Sequence, residues 1–194
     1  MKKRLTKAIL AMSLLTMPAL SMADDEYHSL FAVEGSYNNI DVERTSVTSV
    51  NVQGSGFGGV GIKIGAESHN YRVFISGRYF DAKDFNKLNT IGAEFQYKFN
   101  FSKPVNFFLG VNAGYAYMKV GADVLNGIPS VDTTSPYYGA DAGFNYHASK
   151  LIDLEAGVRF MNLNENLTTS DGVNFDFSSF SSVYTSVIIK WQMD

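Results

Sequence analysis

The chain has 194 residues, 45% of them hydrophobic, 14% aromatic and 18% charged, with 16 Lys and Arg against 19 Asp and Glu and no cysteine. Too few charges and too many aromatics rule out a disordered chain, and the lack of cysteine rules out disulfides and thiolate metal sites. The net charge of −3 argues against a nucleic-acid partner, which needs a basic face. Eleven Tyr, 15 Phe and 17 Gly beside only 4 Pro favour strands over helices.

The first element is an address. Met1-Lys2-Lys3-Arg4 and Lys7 are basic, Ala8 to Leu15 is mostly apolar, and Ser21-Met22-Ala23 presents small residues before Asp24-Asp25-Glu26. This reads as a secretory signal over residues 1–23, cleaved after Ala23, ahead of one domain over residues 24–194. Its apolar stretch is too short to span a bilayer as a helix. Later apolar runs are each interrupted by a charge, Asn or Gly within a few residues, so a membrane form must be a barrel.

Eight period-two segments follow. The first sets Phe31, Val33, Gly35 and Tyr37 against Ala32, Glu34, Ser36 and Asn38. The second sets Val60, Ile62 and Ile64 against Lys63 and glycines, and the third sets Tyr71, Val73, Ile75 and Tyr79 against Arg72, Ser76 and Arg78. The fourth sets Ile91, Ala93, Phe95, Tyr97 and Phe99 against Glu94, Gln96 and Lys98. The fifth sets Phe107, Leu109, Val111, Ala113, Tyr115 and Tyr117 against Gly110, Asn112 and Gly114. The sixth sets Tyr138, Ala140, Ala142, Phe144 and Tyr146 against Asp141, Gly143 and Asn145. The seventh sets Ile152, Leu154, Ala156, Val158 and Phe160 against Asp153, Glu155 and Arg159. The eighth sets Val183, Val187, Ile189 and Trp191 against Ser182, Ser186 and Lys190. Strict alternation selects strands, since a helix repeats at three and four residues.

The connections alternate in length. Long ones cover Asn39–Gly54, Asp81–Asn89, Lys119–Ser135 and Asn162–Ser179, and short ones cover Ala66–Asn70, Asn100–Val105 and His147–Lys150. That is the signature of an up-and-down meander with one elaborated rim. Asn126-Gly127 and Asp171-Gly172 are turn signals within two of the long connections. By spacing Phe175 and Phe177 continue the apolar phase of the last segment, which would let them touch lipopolysaccharide or a partner, or simply pack the hairpin.

Alternation alone does not say whether the apolar face points in or out. Aromatics bracket the aliphatic residues in segments three, five and six, as two membrane interfaces require. The other face is rich in glycine, which suits a narrow lumen. Its charges balance: Lys63, Arg72, Arg78, Lys98, Arg159 and Lys190 against Glu34, Glu67, Glu94, Asp141, Asp153 and Glu155. A solvated outer face could show the same count. The last segment ends on Trp191 near the terminus, an amphipathic closing strand.

Together these features resemble the small outer-membrane β-barrels of the OmpA/OmpX-like group, often labelled porin family, over Leu30 to Trp191. The fold class expected is all-β: an eight-stranded antiparallel up-and-down transmembrane β-barrel. The resemblance implies an outer-membrane address in a Gram-negative cell, both termini in the periplasm, long loops outside, and insertion by the barrel-assembly machinery with periplasmic chaperones. It further implies a monomer among outer-membrane lipid and lipopolysaccharide, with no nucleic-acid partner and no cofactor.

The site expected is a lumen salt-bridge network of Glu34, Lys63, Arg72, Arg78, Glu94, Lys98, Asp141, Asp153, Glu155, Arg159 and Lys190. Strand adjacency suggests the pairs Glu34 with Lys63, Arg78 with Glu94, and Asp153 with Lys190. Lipid-interface aromatics are expected at Phe31, Tyr37, Tyr71, Tyr79, Tyr97, Phe99, Phe107, Tyr115, Tyr117, Tyr138, Tyr146, Phe160 and Trp191. The bore is too small for a wide porin, which needs about 16 strands. The expected function is therefore a non-catalytic scaffold that presents loops for surface contact, adhesion or envelope integrity. A narrow gated pore is the alternative. A lipid A-modifying enzyme is a third, prompted by the H-x-S spacing of His147-Ala148-Ser149, although that tripeptide falls at a periplasmic turn. His28, His69 and His147 fall near one rim and are read as solvated residues, not metal ligands.

Overall fold

The computed structural model describes residues 27–45, 50–53, 56–81, 85–120, 131–168 and 174–192. The leader segment and the Asn126-Gly127 and Asp171-Gly172 turns lie outside these residues. The strands are β1 (His28–Thr45), β2 (Val50–Gln53), β3 (Phe57–Glu67), β4 (Tyr71–Asp81), β5 (Phe85–Asn100), β6 (Val105–Val120), β7 (Val131–His147), β8 (Ile152–Thr168) and β9 (Asn174–Gln192). Each pairs antiparallel with its neighbour, and β1 also pairs with β9, which closes a barrel of eight strands. The short β2 pairs only with the outer part of β1, from Asp41 to Arg44.

Alternation dictates this closure. Outward positions are exposed and apolar, with Val60 at 62%, Ile62 at 56% and Val111 at 60%. Twenty-eight large hydrophobic side chains are exposed among the described residues, far beyond the apolar patch a soluble monomer shows. A lipid-facing strand has no water to satisfy its backbone, so the sheet must close and leave no edge. No helix among the described residues is long and apolar enough to cross a membrane.

The two rims differ. At one, Ser68–Asn70, Phe101–Pro104 and Ala148–Leu151 make tight turns. Ser102 Oγ accepts from Val105 N at 3.2 Å and Ser149 Oγ from Leu151 N at 3.2 Å, tying two of them down. At the other rim the strands run on. A transmembrane strand needs about 9–11 residues, whereas β7 and β8 have 17 each and β9 has 19.

The long connections read from the sequence are therefore mostly strand. β1 continues to Thr45, β6 to Val120 and β8 to Thr168, while β5 starts at Phe85 and β7 at Val131. Hydrophobic alternation stops where the strands leave the bilayer, but backbone pairing does not depend on it. Three register shifts occur in these extensions, between Asp41 and Val42 opposite β9, between Phe85 and Lys87 opposite β6, and between Asn162 and Glu165 opposite β9. Asp41 pairs with Ser179 and Val42 with Phe177, so two residues of β9 are spanned by one step of β1, a bulge ahead of Phe175 and Phe177. Their side chains lie outside the described residues.

Glycines bring the walls together where rings fill the bore. Gly92 and Gly114 are cross-strand partners on β5 and β6. A Cβ at Gly114 would lie 2.2 Å from the carbonyl oxygen of Ile91 and 2.9 Å from the Tyr137 ring. Gly114→Val is thus expected to force the β5–β6 pair apart and lower barrel stability by about 1–3 kcal/mol. A lower midpoint for loss of the heat-modifiable gel form in a urea series checks this.

Candidate functional site: a charged and sealed lumen

The inward side chains at the middle of the barrel include a cluster of ions, set among neutral groups such as Phe74, Gln96 and Tyr184. All twelve charged residues counted from the sequence are buried. Alternation points each at the bore, and strand register sets its height.

Glu34 on β1 anchors one node. It faces Arg159 on β8, with Nη1 to Oε1 at 2.8 Å and Nη2 to Oε2 at 2.9 Å, a bidentate pair. Arg78 Nε on β4 donates to the same carboxylate at 2.8 Å, and Lys63 Nζ on β3 lies 3.3 Å away. Glu94 on β5 takes Arg78 as well, with Lys63 at 3.9 Å and Arg159 at 3.8 Å.

Arg72 on β4 anchors the second node. It reaches Glu67 at 3.1 Å, Asp153 at 3.1 Å and Glu155 at 3.0 Å. Lys98 meets Glu67 at 3.0 Å, and Lys190 meets Asp153 at 2.9 Å and Glu67 at 3.5 Å. Glu155 links the nodes through Lys63 at 2.8 Å. The result is one network across β1, β3, β4, β5, β8 and β9. Glu67 is a hub of it, which the sequence reading counted as a charge without assigning a partner.

Asp141 corrects the expected list. It makes no ion pair among the described residues and is held instead by neutral donors, Gln96 Nε2 at 3.0 Å, Asn112 Nδ2 at 3.3 Å and Tyr184 OH at 3.4 Å. Its register partner Arg159 turns to Glu34 and stacks over the Tyr184 ring at 4.2 Å.

The lumen also holds an apolar part. Toward the extended rim, Phe57, Phe80 and Phe180 form a buried triad with centroids 5.0–6.2 Å apart. Leu88, Met118 and Met161 are buried beside them: Phe80 pairs with Leu88, Leu88 with Met118, and Met161 with Phe180. An apolar layer thus caps the charged one. Its signal was an inward phase occupied by Phe57, Phe80, Leu88, Met161 and Phe180 beyond the last inward charge of β3, β4, β5, β8 and β9.

The outward aromatics fall into two groups by height. Tyr37, Tyr79, Tyr115, Tyr117, Tyr138 and Phe160 are exposed toward the extended side, and Tyr97, Phe99, Tyr146 and Trp191 toward the short-turn side. Phe31, Tyr71 and Phe107 are half-buried. At the short-turn belt the rings touch in sequence, Tyr97 to Phe99 at 5.0 Å, Phe99 to Phe107 at 5.9 Å and Phe107 to Phe144 at 5.3 Å.

His147 and Ser149 do not form a nucleophile–base pair. The ring nitrogens of His147 contact Asp153 and Asn106, while Ser149 Oγ accepts from the Leu151 backbone. His28, His69 and His147 line one cleft at the short-turn rim, but no group of three His, Asp or Glu among the described residues is placed to hold a metal.

A closed eight-stranded barrel with an apolar exterior and an ionised interior is a transmembrane β-barrel. The family model for the outer membrane protein beta-barrel domain matches residues 8–185, and the chain belongs to that family. No curated protein matches it. Among solved structures it is similar to neisserial surface protein A, at 20% identity and a TM-score of 0.60, over 83% of this chain and 97% of that one. It is also similar to the N-terminal barrel of OprF from Pseudomonas aeruginosa, at 9% identity and a TM-score of 0.50, over 81% and 96%. AlkL in lipid bilayers shares 12% identity with a TM-score of 0.51 over 87% and 91%. These likenesses show the fold, and the family implies an outer-membrane location.

Removing Glu34 leaves Arg78, Arg159 and Lys63 facing one another with Glu94 as the one carboxylate they still share. Glu34→Ala is expected to destabilise the barrel by about 3–5 kcal/mol, the scale of breaking a buried ion pair. Glu34→Asp should recover part of that. Urea unfolding in detergent followed on a gel measures both.

Proposed function

We propose that this protein is a non-catalytic barrel of the outer membrane that presents its extended hairpins outside the cell for surface contact, adhesion or envelope integrity. The sealed lumen carries this reading. A bore filled by twelve buried charges and capped by the Phe57, Phe80 and Phe180 layer leaves the extended rim as the place for specificity. Segments that project from a rigid scaffold are where recognition concentrates.

In this reading residues 1–23 are removed on export and both termini lie in the periplasm. The barrel-assembly machinery inserts the chain, periplasmic chaperones escort it, and the mature monomer sits among lipid and lipopolysaccharide. Protease added to intact cells is expected to cut only within the hairpins of the extended rim. Cuts at the short turns would invert the orientation.

A narrow gated pore is the second reading, favoured by Lys63, which has three carboxylates within 3.9 Å and so has alternative partners. Planar-bilayer recordings separate the two. The scaffold predicts a silent barrel, and stable single-channel steps that change in Glu94→Lys would establish the pore instead. A lipid A-modifying role lacks a nucleophile–base contact at His147, and lipid A from a deletion strain should have an unchanged mass spectrum.

A further inference from the structure

A closed ring of five hydrogen bonds sits at the short-turn mouth of the lumen. Arg72 Nη1 donates to Asn145 Oδ1 at 2.8 Å, and Asn145 Nδ2 donates to Asn106 Oδ1 at 2.8 Å. Asn106 Nδ2 lies 3.1 Å from His147 Nε2, and His147 Nδ1 lies 2.7 Å from Asp153 Oδ1. Arg72 Nη2 closes the ring on Asp153 Oδ2 at 3.1 Å.

The two ends fix every direction in between. A guanidinium only donates and an ionised carboxylate only accepts. Asn145 must turn its carbonyl to Arg72, so its amide faces Asn106. The Asn106 carbonyl takes that amide, so its own amide faces His147. Nε2 of His147 therefore accepts, and Nδ1 carries the proton that goes to Asp153. The ring is complete only with a neutral imidazole protonated on Nδ1.

We propose that His147 is a proton-operated latch on this mouth: one ring proton keeps the five-residue ring closed, and a second opens it. A proton on Nε2 sets donor against donor at Asn106. If Asn106 turns to offer its oxygen, its amide opposes that of Asn145. If Asn145 turns in response, it presents an amide to Arg72, which has no acceptor to give. The disturbance ends at the buried arginine that ties β4 to β8 on the opposite wall.

The proton has a route. The His147 side chain is 26% exposed and lines an open cleft of about 710 Å³, while Arg72, Asn106, Asn145 and Asp153 are buried. Imidazole is the side chain that changes charge between roughly pH 5 and 8. The charged groups around it come from β3, β4, β5, β8 and β9, while β6 presents the neutral Asn106. Asp153 on β8 is shared with Lys190 on β9 and Arg72 on β4, and Glu67 on β3 is shared with Arg72, Lys98 and Lys190. His28, His69 and Lys103 line the same cleft. Both carboxylates nearest the mouth already serve several cations, so a further positive charge competes for them.

Nitrogen-15 NMR of the labelled barrel in lipid bilayers tests the latch, with His28 and His69 assigned by substitution. At about pH 9, above the range in which imidazole gains its second proton, His147 should carry its proton on Nδ1, the minority form of free histidine. As the pH falls and Nε2 gains its proton, the side-chain resonances of Asn106, Asn145 and Arg72 should shift with the same midpoint. In Asn106→Asp the new carboxylate accepts from Asn145 and, once Nε2 is protonated, from His147 as well, so no amide has to turn. There Asn145 and Arg72 should stay unmoved while His147 still titrates. A proton on Nε2 at the higher pH, measured on the unmodified protein, would overturn the proposal. So would titration of His147 with no response at Asn145 and Arg72, or the same response persisting in Asn106→Asp.

Discussion

The constraint that shapes this molecule is that lipid accepts neither an open sheet edge nor a bare charge. Backbone groups at membrane depth must bond within the protein, so β1 has to meet β9. Ionised side chains within the span must then face the bore. Six cations and six anions do so, and eleven of them contact an opposite charge. Each residue of every strand is committed to one of two solvents by its parity.

That commitment also determines what the lumen can do. A space lined by opposite charges at 2.8–3.9 Å is filled rather than open. The aromatic layer of Phe57, Phe80 and Phe180 is packed above it. Strands outrun the bilayer at one rim, and His147 meets the network at the other.

Parity made much of this legible in the sequence. The outward runs Val60-Ile62-Ile64 and Leu109-Val111-Ala113 show their faces without a structure, because period two is a local property. Cross-lumen partnership is not local. Arg72 on β4 meets Glu155 on β8, on the far wall, and Arg159 meets Glu34 across 125 residues of sequence. Adjacency of strands says nothing of such pairs, since they depend on barrel width and side-chain length. Asp141 illustrates the limit. Parity put it in the lumen, but only the structure shows that Arg159 turns away from it. The extended hairpins escaped for a different reason, because pairing continues there after the hydrophobic signal ends.

The most direct test of the account is where the outward side chains reside. The chain has no cysteine, so single cysteines at Ile62, Val111 and Val183 can carry a fluorophore without interference. In the folded barrel reconstituted in vesicles, brominated acyl chains should quench all three probes. Probes untouched by brominated lipid, on a chain that stays folded and monomeric in detergent-free buffer, would contradict the account and place those side chains in a water-soluble core.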